Sequence, residues 1–175
     1  KERGYEVIAV SPNDLHTSKL ISLGIKHYSI NIRQRGTNPF LDIKVIKAYK
    51  NLFKIIKPDI ILSYTIKPNI YGNIAANKLK IPVINNISGL GMIFINKNIY
   101  SIIAKILYRY SLRYSNWIFF QNNDDLKIFK DSNIIKFNKF SSISGSGVNT
   151  LTFINKLNVN KGKCFLYSGR LIKDK

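Results

Sequence analysis

The sequence predicts a doubly wound α/β fold on a mostly parallel sheet, and three observations carry that expectation. Runs such as Asp59-Ile60-Ile61-Leu62-Ser63 and Trp117-Ile118-Phe119-Phe120 are apolar almost throughout, the pattern of strands covered on both faces. The segments between them carry apolar residues three and four apart, the period of an amphipathic helix. Strand and helix alternate along the chain, the order that builds a parallel sheet.

Each element has its own signal. Glu6-Val7-Ile8-Ala9-Val10 reads as a strand that stops at the turn Ser11-Pro12-Asn13-Asp14. Residues 15–23 form a short helix closed by Gly24. Residues 26–32 alternate as a second strand. Residues 39–57 place Leu41, Val45, Ile46, Tyr49, Leu52, Phe53 and Ile56 on one helical face, with Asn38 as N-cap and Pro39 at the first position. The pattern then repeats: strand 59–63, helix 69–80 entered through Lys67-Pro68, strand 82–86, helix 99–114, strand 117–120, helix 124–130 and a short strand over 140–144. Residues 151–162 are polar, Asn-rich and without period, a linker. Residues 163–168 read as one more strand, the start of a second domain. The apolar pattern begins at once at one end and stops inside a new element at the other, which reads as a fragment.

The length suits one domain, and 45% hydrophobic with 21% charged residues is ordinary globular usage, so disorder is not expected. The net charge of +19 first suggests nucleic acid or an anionic membrane surface. Ile, Lys and Asn together fill 72 of 175 positions, however, so part of that charge is a compositional bias toward Lys. The lone Cys164 excludes a disulfide framework and a cysteine-built zinc site. No apolar run reaches the roughly 18–20 residues of a membrane span.

In open α/β sheets ligands bind beyond the carboxyl ends of the strands. Five polar or Gly-rich loops fall there: Arg33-Gln34-Arg35-Gly36-Thr37-Asn38-Pro39, residues 64–72, Asn85-Asn86-Ile87-Ser88-Gly89-Leu90-Gly91, Gln121-Asn122-Asn123-Asp124-Asp125 and Gly145-Ser146-Gly147-Val148-Asn149. Together they define a cleft. Helix N-termini there offer about half a positive charge and free N–H groups, and Arg33, Arg35 and Lys67 add cations beside them. The arginines read equally as a solvated loop, and Lys67 as a residue that opens a helix. Gly89 and Gly91 allow a tight turn and, with it, close approach of backbone to a phosphate or sugar.

Other residues carry weaker signals. His16 follows a strand beside Asp14 and is a rim candidate; His27 reads as structural. No His, Cys, Asp or Glu cluster has metal spacing. Asp124-Asp125 suits a helix N-terminus better than a catalytic pair. No Gly-x-Ser-x-Gly elbow or full dinucleotide fingerprint occurs. Residues 99–114 interleave Tyr100, Lys105, Tyr108, Arg109, Tyr110, Arg113 and Tyr114. A packed helix with snorkelling basic residues is the favoured reading, an interfacial surface helix the alternative.

Taken in order, Arg35-Gly36-Thr37-Asn38-Pro39, Thr65-Ile66-Lys67-Pro68-Asn69-Ile70-Tyr71-Gly72, Ile87-Ser88-Gly89-Leu90-Gly91, Phe120-Gln121-Asn122, Gly145-Ser146-Gly147-Val148-Asn149 and Gly169-Arg170-Leu171 resemble bacterial glycosyltransferase family four, of the retaining GT-B fold. The look is of the enzymes of capsule, O-antigen and undecaprenyl-diphosphate-linked glycan synthesis. The resemblance implies two Rossmann-like domains, acceptor-side and donor-side. Residues 1–150 would be the first, without its opening strand, 151–162 the linker and 163–175 the start of the second. It implies a nucleotide sugar as co-substrate without a further cofactor or metal, a lipid-linked saccharide acceptor, no nucleic acid, and a peripheral place on the cytoplasmic face of the inner membrane. Matched residue by residue, Arg170 and Lys175 would hold the donor diphosphate. Arg33, Arg35, Lys67, Asn69, Ser88, Gly89 and Gly91 would face the acceptor. The chain has Ser88-Gly89 where many members carry a His, and no catalytic residue is assigned. A nucleotide-sugar epimerase of the same fold is one alternative. A basic α/β nucleic-acid-binding module is another, and it would need basic residues clustered with exposed aromatics.

Overall fold

The computed structural model describes residues 3–32, 39–90, 94, 99–135 and 139–153. The expected Asn38 cap and the strand at 163–168 lie outside them. Among the described residues six short strands pair in parallel, in two sheets rather than one.

The first sheet pairs β1 (Ile8–Ser11) with β2 (Lys26–Ser29), Ile8 opposite Lys26 and Ser11 opposite Ser29. Between them runs α1 (Thr17–Ser22). Asp14 starts that helix: its carboxylate accepts the His16 N–H at 2.8 Å, and its carbonyl accepts the Thr17 N–H. Gly24 ends it in the left-handed region at φ 70°, so that Gly24 N–H reaches the Ile21 carbonyl and Ile25 N–H the Leu20 carbonyl. Glycine takes that conformation without steric cost.

The long helix α2 (Pro39–Ile56) buries Val45, Tyr49 and Phe53, four residues apart, as its period requires. The second sheet follows: β3 (Ile61–Tyr64), β4 (Val83–Ile87), β5 (Trp117–Phe120) and β6 (Phe140–Ser142), side by side in chain order. The crossover from β3 to β4 opens as a π-helical turn (Pro68–Gly72) that runs into α3 (Asn73–Asn77). The helix expected over 69–80 therefore begins wider and ends earlier. Lys80 stops it at φ 59°, with Lys80 N–H on the Asn77 carbonyl and Ile81 N–H on the Ala76 carbonyl. The remaining crossovers use α4 (Ile99–Leu112) and α5 (Asn123–Asp131). Asn122 caps α5 by accepting the Asp125 N–H at 2.7 Å.

Burial alternates along β4, with Val83, Asn85 and Ile87 buried and the residues between them half-buried. The register sets Asn85 beside Ser63 and Ile118, so one face collects Ser63, Val83, Asn85, Ile87, Ile118 and Phe120. The π-turn, α3 and Ser115, just beyond α4, close over this face through hydrogen bonds to Asn85. An aromatic cluster continues it: Phe120 meets Phe129 of α5 at 5.2 Å, and Phe129 meets Tyr108 of α4 at 5.3 Å between ring centroids. The opposite face presents Leu62, Tyr64 and Trp117 to solvent among the described residues. The expectation of strands covered on both faces thus holds for one face of the second sheet, because the helices of β3 to β6 gather on the Asn85 side.

Candidate functional site

Four parallel strands in register bring the residues that follow them to one rim. Residues 65–67 follow β3, 88–90 follow β4, 121–122 follow β5 and 143–147 follow β6. A hydrogen-bonded ladder laces this edge. Gln121 donates its N–H to the Ile87 carbonyl at 3.2 Å, and its amide Nε2 to Asn86 Oδ1 at 3.2 Å and Ser146 Oγ at 2.8 Å. Ile143 N–H continues it to the Phe120 carbonyl at 2.8 Å. Gln121 thus ties the end of β4 and the loop after β6 to the end of β5. Its place directly after an apolar strand was the signal in the sequence, although no role had been assigned to it.

Thr65 makes the bend at the end of β3 with φ 66°. A β-branched residue rarely takes that left-handed conformation, which costs about 1–2 kcal/mol. The bend swings the chain into the π-turn and brings Lys67 to the rim. There the Lys67 ammonium lies 3.7 Å from Asp42 Oδ1 in the first turn of α2, both side chains largely sheltered. The Tyr71 hydroxyl donates to the same carboxylate, and burial, reinforced by that carboxylate's hydrogen bond and charge, holds the phenol well above its usual range. Asp42 therefore gathers a cation and a phenol from the π-turn and fixes where the cation sits. Ser88 and Gly89 lie exposed on the neighbouring loop, and a side chain built on Gly89 would meet nothing within 4 Å.

Asn69 occupies a different place. It is 1% exposed, with Nδ2 donating to the Asn86 carbonyl at 3.0 Å and Oδ1 accepting from Asn85 Nδ2 at 3.0 Å. Asn73 extends the network, donating to Asn85 Oδ1, the Ser111 carbonyl and Ser115 Oγ at 2.9–3.2 Å. Ser115 Oγ donates to Asn85 Oδ1 at 2.6 Å. This buried network locks the π-turn, β4 and the end of α4 together beneath the rim. Its legible sign was Asn85, polar at a position whose parity matches Val83 and Ile87.

The structure brings Lys67, Ser88 and Gly89 to the rim and sets Asn69 under it. Arg33, Arg35, Gly91, Arg170 and Lys175 lie outside the described residues. His27 Nε2 sits 2.9 Å from Ser11 Oγ across the β1–β2 pair, and the exposed His16 belongs to the turn before α1. Among the described residues no three His, Cys, Asp or Glu side chains gather as a metal site, and no helix is long and apolar enough to cross a membrane. A polar rim with a held cation and an open backbone turn is suited to an oxyanion or a sugar hydroxyl face.

Known proteins were compared with this chain. It is 28% identical over 158 residues to the N,N'-diacetylbacillosaminyl-diphospho-undecaprenol alpha-1,3-N-acetylgalactosaminyltransferase of Campylobacter jejuni, a match covering 87% of this chain and 42% of that protein. The MurG crystal structure from Acinetobacter baumannii superposes with a TM-score of 0.55 at 16% identity, over 86% of this chain and 40% of MurG. The UDP-GlcNAc 2-epimerase of Methanocaldococcus jannaschii gives 0.53 at 19% identity, over 79% of this chain and 37% of that one. The chain thus spans about two fifths of these proteins. The two solved structures establish the fold, the Rossmann-like half of a GT-B architecture. The model of the glycosyl transferase 4-like family matches residues 1–122. That stretch takes in every described strand but β6 and the rim as far as Asn122, and the chain belongs to the glycosyl transferase 4-like family.

Proposed function

We propose that this chain is the acceptor-side half of a retaining glycosyltransferase. Its reaction would move a sugar from a nucleotide sugar to a saccharide carried on a lipid diphosphate, at the cytoplasmic face of a membrane. The observation that carries the reading is the rim itself: parallel strand ends hold Lys67 beside the exposed Ser88-Gly89 turn, in a chain of this family. In the proposal Lys67, Arg33 and Arg35 meet the acceptor's negative charge, with the backbone at Ser88, Gly89 and Gly91 close to its sugar. Asn69 positions the rim from below. Arg170 and Lys175 take the departing diphosphate, a bidentate guanidinium and a point-charge ammonium being fitted to that charge. The Campylobacter relative, named for an undecaprenol-diphosphate-linked acceptor, supports this substrate class.

The test is transfer of label from a panel of nucleotide sugars to lipid-linked saccharides by the intact protein. Transfer from at least one donor is expected. No transfer with any donor, joined to tight salt-sensitive binding of RNA or DNA, would sink the reading. The same mixtures without acceptor detect the alternative, epimerisation of the donor. Within the assay Lys67→Gln should lower transfer roughly 10- to 100-fold, the loss of one charge-assisted hydrogen bond. Asp42→Asn, which loosens the position of Lys67 but keeps its charge, should lower transfer less than Lys67→Gln does; an equal loss in both variants would remove Lys67 from the acceptor side. Arg170→Ala should lower turnover strongly without unfolding the protein.

A further inference from the structure

The helix α4 is apolar on two faces, and among the described residues one of them packs into the core. Ser101, Ala104, Tyr108, Ser111 and Leu112 are buried against the core. On the opposite side Ile99, Ile102, Ile103, Ile106 and Tyr110 form a continuous stripe, each 40–61% exposed. Their spacing of three and four residues over almost three turns makes this a surface, not scattered exposure.

The flank of the stripe is cationic. Lys105, Arg109 and Arg113 follow it along one edge, and no acidic residue occurs between Asp59 and Asp124. The stripe opens into a cavity of about 630 Å³ shared by Ile106, Tyr110, Leu112, Ile118 and Ile134, with Arg109, Arg113 and Lys139 among its walls. Arg113 is held over the rings of Tyr110 and Tyr114, 4.9 Å from each centroid, and donates to the Tyr114 hydroxyl at 2.8 Å. Arg109 is fixed by its bond to the Ser132 carbonyl at 2.7 Å. The cavity lies at the start of β5, away from the rim at the strand ends, so it does not belong to the site described above.

We propose that the outer face of α4 is the surface on which the protein seats on an anionic lipid bilayer. The isoleucines and Tyr110 enter the boundary between headgroups and acyl chains. Lys105, Arg109, Arg113 and Lys139 meet lipid phosphates, and the cavity receives apolar chain from the bilayer. An interfacial helix needs such an apolar stripe with cations beside it, and it lies in the membrane plane without crossing. Charge complementarity selects this occupant over another protein: a partner face would have to be both apolar and strongly acidic, as a bilayer with anionic headgroups is. The proposal rests on the reading of a membrane-borne acceptor, but it can fail separately.

The test is flotation of the intact protein with vesicles of phosphatidylcholine, with and without phosphatidylglycerol. Binding is expected to the anionic vesicles only, weakening as salt is raised. The double variant Ile102→Asn, Ile106→Asn should lower vesicle affinity roughly tenfold or more through lost apolar burial. Lys105→Gln and Arg113→Gln should each lower it about fivefold. Ile102, Ile106 and Arg113 are exposed and Lys105 is half-buried, and unchanged thermal transitions will show that the variants fold. Transfer to a water-soluble short-chain acceptor should be unaffected by the isoleucine variant, while transfer to acceptor in vesicles falls. Failure of the wild-type protein to float, flotation of the isoleucine variant like wild type, or a soluble dimer that the isoleucine variant splits would each overturn the proposal. Vesicle binding without transfer to any acceptor would overturn the transferase reading instead.

Discussion

At the scale of single residues, the decisive side chains are the buried amides. Asn85 lies in the middle of β4 and is fully buried, where an apolar residue would pack without polar cost. It persists because both ends of its amide are used: Nδ2 donates to Asn69, and Oδ1 accepts from Asn73 and Ser115. A buried polar group left without its partner costs about 1–3 kcal/mol. Asn85→Ala removes a donor from Asn69 Oδ1 and an acceptor from two further groups, so we expect a loss of about 2–3 kcal/mol in denaturant unfolding. A loss below roughly 0.5 kcal/mol, the size of an ordinary surface substitution, would show that the network is not what locks the π-turn to the sheet. Lys67 is different in kind. Its ion pair with Asp42 fixes the ammonium near the rim, on a side chain that is largely sheltered.

At the scale of elements, the π-turn sets the packing of its neighbours. Gly72 ends it with ordinary helical φ of −62°, and a Cβ there would stand 3.8 Å from the Tyr49 ring of α2. That is van der Waals contact, not a clash. Gly72→Ala should therefore stabilise the protein by about 0.5–1 kcal/mol through the lower entropy of the unfolded chain, read as a raised melting temperature. A lowered one would mean that α2 approaches the turn more closely than this geometry. The helix ends show what a sequence carries and what it does not. Gly24, Lys80 and Asn133 all take positive φ and close the same pair of hydrogen bonds behind α1, α3 and α5. Only Gly24 was readable, because glycine advertises the left-handed region. Lys80 and Asn133 are driven into it by the tertiary position of the chain that follows. The π-turn was hidden for a similar reason: the extra residue per turn is settled by Asn69 and Asn73 reaching Asn85, a contact no local window contains.

At the scale of the whole molecule, the parallel order of elements was legible because apolar runs and helical periods are local patterns. The rim followed from it, since parallel strands place all their carboxyl ends together. Which rim residues stay partly open was not legible: Lys67 and Asn69 stand two apart in sequence, yet the first keeps part of its side chain accessible and the second is sealed beneath it. The same depth of burial makes a further prediction about pH. Tyr49, Tyr71 and Tyr108 are 4%, 5% and 2% exposed, and burial lifts all three phenols well above the usual value of 10. A hydrogen bond with the Asn69 side chain pulls Tyr108 the other way but does not cancel the shift. Below pH 10 all three are neutral, folded or unfolded, and stability is at its full value. Above it the unfolded chain loses these protons while the folded protein keeps them, so folding must weaken as pH rises toward the elevated native values. The slope is about 1.4 kcal/mol per pH unit for each group. Deprotonation of lysines acts in the opposite direction by relieving the self-repulsion of a chain with net charge +19. That relief is spread over a screened surface, whereas the three phenols act inside the core. Denaturant midpoints measured from pH 8 upward should therefore stay level and then fall steeply above about pH 10. Tyr108→Phe should remove roughly a third of the fall, since one of the three buried phenols is gone. A midpoint that rises through the same range would show that charge relief governs the alkaline limb and that the buried tyrosines do not.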